Sequence, residues 1–327
     1  MSRPAVASRV PTLDDVLAAR ETIAGRLHRT PVFTSRTLGE ILGGTALLKA
    51  ELFQRTGSFK PRGALTKLAA LTPEERRRGV IGISAGNHAQ ALAYASRLEG
   101  VDCLVVMWTG ASAQKLSATR AYGADVDLAA GNPTEAFERL HELLEATGRT
   151  LVHPFDDPLV VAGQGTLALE LLEDAPEADA VVVPVGGGGL LAGVATVVGA
   201  LRPRARVIGV EPERAAGLHA ALRAGRPVPV VPDSIADGLG APFAGELCLE
   251  VCRERVDEVV LVSEAELAEG MRFLYGRAKL ACEAAGAAAT AALLAGKVSL
   301  EPGATVAAIV SGGNVAPETA SDILASR

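Results

Sequence analysis

The sequence predicts an α/β protein built on parallel sheets. Short apolar runs alternate with longer segments whose apolar residues recur three and four apart, and several runs end in a glycine-containing loop that opens a helix pattern. Candidate strands occupy residues 46–52, 79–84, 102–107, 125–128, 180–185, 207–211, 258–262 and 305–310. Helix patterns occupy 89–99, 114–121, 134–146, 190–202 and 264–277, and the alanine-rich stretch 284–295 reads as a buried helix. This order places ligand loops at strand C-termini.

Composition narrows the function. With 327 residues, 49% apolar and 21% charged, the chain has enough core for one large domain or two ordinary ones. A net charge of -6 disfavours nucleic acid and anionic membrane, both of which attract a basic face. The expected partner is a small molecule. The first residues, MSRPAVASRVPTLDDV, turn polar before any apolar stretch develops, and no run approaches a membrane span, so a cytoplasmic protein is expected. Cys103, Cys248, Cys252 and Cys282 lie in apolar surroundings without metal spacing and read as buried, reduced thiols.

The chemistry starts at Thr56-Gly57-Ser58-Phe59-Lys60-Pro61-Arg62-Gly63-Ala64. Lysine is scarce in this chain, six against 26 arginines, so a lysine between a glycine turn and a proline stands out. Pro61 is expected to bias Lys60 toward an extended backbone at the mouth of a helix. An apolar setting would lower its pKa and make it a nucleophile and proton carrier. Taken alone, a solvated helix start explains Lys60 and Arg62 as well.

Three further segments add to it. Ser84-Ala85-Gly86-Asn87-His88-Ala89-Gln90 follows a strand and opens a helix, whose unpaired N–H groups suit a carboxylate. Gly186-Gly187-Gly188-Gly189-Leu190 joins a buried strand to a helix, and ordering four glycines costs up to ~1 kcal/mol each against alanine. That cost makes sense where backbone amides wrap a phosphate. Ser311-Gly312-Gly313-Asn314 ends the last apolar run, where a serine hydroxyl can donate to a ring nitrogen without charging it.

A rival reading attaches to the glycine loop. Gly187-x-Gly189-x-x-Ala192, with Glu211 at the end of the next strand, satisfies a dinucleotide fingerprint and points to an NAD-dependent oxidoreductase. That reading leaves the Lys60, Asn87 and Ser311 segments without a role.

Together the segments resemble the fold-type II (tryptophan synthase β-like) pyridoxal-phosphate enzymes, in the threonine dehydratase/serine racemase branch. The resemblance also takes in Arg29-Thr30-Pro31, Glu51 to Lys60, His153-Pro154-Phe155-Asp156-Asp157, Ala162-Gly163-Gln164-Gly165-Thr166 and Ile235-Ala236-Asp237-Gly238, nearly the whole chain. It implies two parallel-sheet α/β domains: a large one of 1–52 and 155–327, and a small mobile one of 53–154. It implies pyridoxal 5'-phosphate on Lys60 as a Schiff base. Phe59, Asn87, Gly186 to Gly189, Leu190, Glu283 and Ser311 would surround it. Ser84, Ala85, Gly86, Asn87 and His88 would bind the substrate carboxylate. A homodimer or homotetramer is also implied.

The implied reaction is β-elimination from L-threonine or L-serine, giving a 2-oxo acid and ammonia. Hydroxyaspartate and phenylserine are alternative substrates, and amino-acid racemisation is an alternative reaction. Racemases of this branch carry an acid/base serine just before Gly-Asn-His; here Ala85 holds that position. Their cation site is matched only by Glu211 and the Ala215 carbonyl, with Gly217 where an acid is expected, so a divalent cation is doubtful.

Overall fold

The computed structural model describes residues 10–326. In chain order its elements are α1 (Leu13–Ile23), β1 (Val32–Thr34), α2 (Arg36–Leu42), β2 (Thr45–Ala50), α3 (Pro61–Ala69), α4 (Pro73–Arg78), β3 (Val80–Ile83), α5 (Asn87–Glu99), β4 (Cys103–Trp108), α6 (Ala113–Ala121), β5 (Asp125–Ala130), α7 (Pro133–Thr147) and β6 (Thr150–Leu151). Then follow α8 (Pro158–Asp174), β7 (Ala180–Pro184), α9 (Gly189–Leu201), β8 (Arg206–Pro212), α10 (Gly217–Ala224), α11 (Glu246–Arg255), β9 (Glu258–Val262), α12 (Glu264–Phe273), α13 (Ala284–Leu294), β10 (Thr305–Val310) and α14 (Pro317–Ala325).

The strands form two sheets. The larger has the order β1-β2-β10-β7-β8-β9 and is parallel except at its β1 edge; the smaller, β5-β4-β3-β6, is wholly parallel. Helices cover both faces of the larger sheet, which is why β7 and β10 read as unbroken apolar runs and are buried at every position. All eight expected strands are present, with limits shifted by a residue or two. The three-residue β1 and two-residue β6 are too short to leave a periodic signal.

Small residues set the helix spacing. The alanine-rich stretch is α13, buried along nearly its whole length. A Cβ on Gly270 of α12 would sit 2.9 Å from the Ala291 Cβ, so these two helices touch nearly backbone to backbone. The same device holds α8 between α3 and α9. A Cβ on Gly163 would lie 2.6 Å from the Gly63 Cα, and one on Gly193 would lie 2.6 Å from the Gly165 nitrogen. The glycines of Ala162-Gly163-Gln164-Gly165-Thr166 are thus contact points inside a helix, where their low propensity hid α8 from a periodicity reading. The expected helix 264–277 is α-helical only to Phe273; a π-helical turn follows at Leu274–Ala278, closed by Lys279 at φ 59°.

A buried ionic cluster ties these elements together. Arg62, in the first turn of α3, is 0% exposed and uses all five guanidinium N–H groups. Its Nε and Nη2 donate to the two oxygens of Glu51 at 2.8 and 2.9 Å, and Nη1 and Nη2 donate to those of Glu170 at 2.7 and 2.9 Å. The fifth bond goes to the Thr166 hydroxyl. Lys49, also fully buried, donates to Glu170 and to the Thr30 carbonyl, and the Thr30 hydroxyl donates to Glu51. Two cations meet two carboxylates, so the cluster is neutral.

No helix among the described residues is long and apolar enough to cross a membrane. Gly163→Ala should lower stability by about 1–3 kcal/mol, since backbone lies where the methyl must go. Gly276→Ala, whose Cβ would meet nothing within 4 Å, should stay within ~0.5 kcal/mol of the parent. Denaturant midpoints of the two variants check this.

Candidate active site

The site lies where the C-terminal ends of β2, β10 and β7 meet the loop after β3. Lys60 immediately precedes α3, and here the expectation from Pro61 is corrected. The Lys60 backbone is α-helical, φ −54° and ψ −34°, not extended. Its carbonyl accepts the Ala64 N–H, and Phe59 accepts from Arg62, so the helix is held through Lys60 against the pre-proline preference. The Lys60 Nζ donates to the Pro154 carbonyl at 2.8 Å, 5.2 Å from the centre of the Phe59 ring. Burial lowers its ammonium pKa to about 8.

The glycine loop runs from β7 into α9. Gly188 has φ +96°, a conformation that calls for glycine. Its neighbours are glycine for another reason. A Cβ on Gly187 would be 2.3 Å from the Phe155 ring, and one on Gly189 would be 2.6 Å from the Phe155 carbonyl. Leu239 presses on Gly186 from the other side. Helix α9 starts with no side-chain cap, which leaves its first N–H groups and positive dipole end for an anion.

The segment His153-Pro154-Phe155-Asp156 holds that loop. His153 Nδ1 accepts the N–H groups of Phe155 and Asp156, and the Asp156 carboxylate accepts three N–H groups at the start of α11. Phe155 stands edge-on to His153 at 4.6 Å and to Phe243 at 5.7 Å, and Phe243 in turn meets Phe137 of α7. Accepting at Nδ1 requires an unprotonated nitrogen there, and burial lowers the His153 pKa.

Asn87, Glu283 and Asn314 converge from three elements. Asn87 Nδ2 donates to Glu283 Oε1 at 2.6 Å, and Asn87 Oδ1 accepts from Asn314 Nδ2 at 2.8 Å. Asn314 also donates to the Thr56 carbonyl. Glu283 is 3% exposed, its Oε2 has no partner, and burial raises its pKa to about 7. Ser311 closes β10, with its carbonyl accepting the Phe59 N–H. Beside it the buried Ser58 hydroxyl has no partner. Asn314 was within the SGGN motif, but only its fold-level contacts reveal that it orients Asn87.

In the loop after β3, the Ser84 hydroxyl oxygen accepts the Gly86 N–H, and α5 begins at Asn87 without a side-chain cap. His88 turns its ring away to the Val152 carbonyl, and burial drops its pKa to about 3. The His88 ring thus leaves only its backbone at this helix start. Ala85 brings no ionisable group.

Glu211 has another job than those considered for it. It is 0% exposed, and its two oxygens accept the Leu218 and His219 N–H groups at 2.7 and 2.8 Å, capping α10. It is therefore unavailable to a ribose. Ala215 lies in the buried turn beside it, and no group of three or more His, Cys, Asp or Glu among the described residues could hold a metal. At the position where the resemblance implies a weak, incomplete cation site, Glu211 caps α10 and Ala215 lies in the turn before that helix.

The donor set fits pyridoxal phosphate: a desolvated amine at Lys60, an uncapped glycine-lined helix start, and unpartnered buried oxygens on Ser58 and Glu283. Comparisons with known proteins agree. The chain is 44% identical over 305 residues to an L-threonine ammonia-lyase of Thermotoga maritima, covering 93% of this chain and 76% of that protein. It is 43% identical over 306 residues to the catabolic L-threonine dehydratase of Escherichia coli K12, covering 93% of each. Among solved structures, a threonine deaminase from T.th. superposes with a TM-score of 0.87 at 46% identity, covering 94% and 99% of the two chains. Maize serine racemase superposes with a TM-score of 0.91 at 35% identity, covering 96% and 97%. Residues 23–312 match the family described as pyridoxal-phosphate dependent enzymes, which overturns the dinucleotide reading, and the chain belongs to that family.

Proposed function

We propose that this chain is an ammonia-lyase that eliminates the β-hydroxyl of L-threonine or L-serine, the product hydrolysing to a 2-oxo acid and ammonia. The observation that carries the reading is the Lys60 amine, its pKa lowered to about 8, set among two uncapped helix starts suited to a phosphate and a carboxylate. The dehydratases and deaminase named above support the choice of reaction.

The backbone N–H groups of Gly186 to Gly189 and Leu190 would hold the phosphate, and those at the start of α5 would hold the substrate carboxylate. Bound there, pyridoxal phosphate supplies an electrophilic carbon for the substrate amine and a conjugated ring that takes up electrons from Cα. Lys60 Nζ removes the Cα proton. The Ser311 hydroxyl would hold the ring nitrogen by a hydrogen bond that leaves it uncharged. Asn87, steadied by Asn314 and Glu283, would hold the ring oxygen.

Racemisation is the second reading, because maize serine racemase shares the fold closely. It needs an acid/base on the substrate face opposite Lys60, and Ala85 supplies none. We also infer a cytoplasmic homo-oligomer. Four buried free thiols support a reducing compartment, and Phe33 and Phe53, in edge-to-face contact and 41% and 47% exposed, support a covered face at the β1 edge.

Purified enzyme with pyridoxal phosphate should release 2-oxo acid from L-threonine or L-serine faster than it forms the D-amino acid. Release of neither 2-oxo acid, or faster racemisation, overturns the reading. Lys60→Ala should lower kcat by about 100- to 10,000-fold. Only the neutral amine attacks an aldehyde, so cofactor uptake by the apo-protein should speed up with pH and level off above about 8, whereas an ordinary lysine would level off near 10.5. Gly187→Ala, which drives a methyl into the Phe155 ring, should weaken cofactor retention by about tenfold or more in a dialysis titration.

A further inference from the structure

We propose that Arg62 is a positioning residue that fixes Lys60 to the larger-sheet body, the one that carries the glycine loop. The proposal rests on Lys60 being the cofactor lysine.

The partners of Arg62 define what it holds. All five of its N–H groups go to Glu51, at the end of β2, and to Thr166 and Glu170 of α8. None goes to residues 80–151, which carry the smaller sheet. Arg62 lies two residues after Lys60 in the same helical turn, and the backbone on either side follows it. The Gly63 N–H donates to Gln164 Oε1, and the Phe59 N–H donates to the Ser311 carbonyl. Ser58 and Gly312 form a bridge, and the Gly313 N–H donates to the Gly57 carbonyl. The resemblance implies a small mobile domain of 53–154, yet Gly57, Ser58, Phe59, Arg62 and Gly63 are bonded to the segments just after β10 and β2 and to α8. By these bonds Lys60 belongs with the larger sheet, and α3, which follows it, packs on α8 and on α5.

Energetics argue for position over stability. Burying two cations and two carboxylates is weak as a source of stability, because desolvation offsets most of the attraction and apolar residues fold as well. Two planar forks at right distances do specify a single placement, which a lysine with its compact point charge does not. A geometry displaced by about 1 Å at the reacting group costs on the order of 100-fold in rate.

The test uses the holoenzyme with Arg62→Lys and the near-isosteric Glu170→Gln. Steady-state kinetics, the visible band of the lysine-bound cofactor, melting temperature and hydrogen exchange are read together. The expected result is kcat lower by about tenfold or more with KM within about threefold, a shifted band, and faster exchange in residues 57–65 but not in 80–151. If Arg62→Lys does not fold, Thr166→Val removes only the neutral fifth partner and should show the same pattern at about two- to fivefold. Variants that melt lower while folded enzyme keeps the parent kcat, band and local exchange make the cluster merely structural and overturn the proposal. Exchange that rises equally in both regions does the same. The exchange and band readouts need no turnover, so absence of lyase activity in the parent would count against the function reading alone.

Discussion

A guanidinium cut off from water must place all five of its N–H groups on the protein or leave a buried charge unsatisfied, and Arg62 meets that demand with two carboxylates and a hydroxyl. Satisfying it brings together the end of β2, the middle of α8 and the start of α3. Those three elements then dictate much of what surrounds them. Glu170 is where Lys49 and the Thr30 segment attach, and Thr30 closes on Glu51. An ionic cluster around the fully buried Arg62 thus sits within one helical turn of Lys60, its bonds made to Glu51, Thr166 and Glu170.

Glycine supplies the close approaches that this arrangement needs. At the helix crossings, Gly63, Gly163, Gly165 and Gly193 remove side chains so that α3, α8 and α9 stack almost in backbone contact. In the loop after β7, only Gly188 needs its left-handed conformation; Gly187 and Gly189 are glycine because Phe155 lies against them. The row of aromatic rings from His153 to Phe137 therefore meets the glycine loop through Phe155 and ends on a helix beside the smaller sheet. With only seven phenylalanines in the chain, three in one row is a concentrated use of them.

Polar groups around the amine divide by burial. His88, His153 and Lys60 are pushed toward their neutral forms by desolvation, and Glu283 likewise toward its protonated form. Positive potential for anions comes instead from backbone, at the starts of α5 and α9. Two backbone-made anion positions therefore flank an amine whose pKa burial has lowered to about 8.

The order of elements, the eight main strands, the glycine loop that opens a helix and the family were legible from residue patterns, because period, glycine clusters and a scarce lysine are local properties. The fingerprint ending at Glu211 was equally legible and misled, since spacing does not say that both oxygens face the N–H groups of α10. The α-helical backbone of Lys60 under Pro61, the tilt of His88 away from the site, and the link from Asn314 to Asn87 were decided by contacts between residues far apart in the chain. Arg62 shows the division most plainly. Its sequence neighbours mark only a helix start beside a lysine, whereas its meaning lies in Glu51, Thr166 and Glu170. Local patterning determines which segments are strands, loops and helices, and long-range burial determines which of their polar groups are left free for chemistry, because desolvation leaves a group only the partners that tertiary packing brings to it.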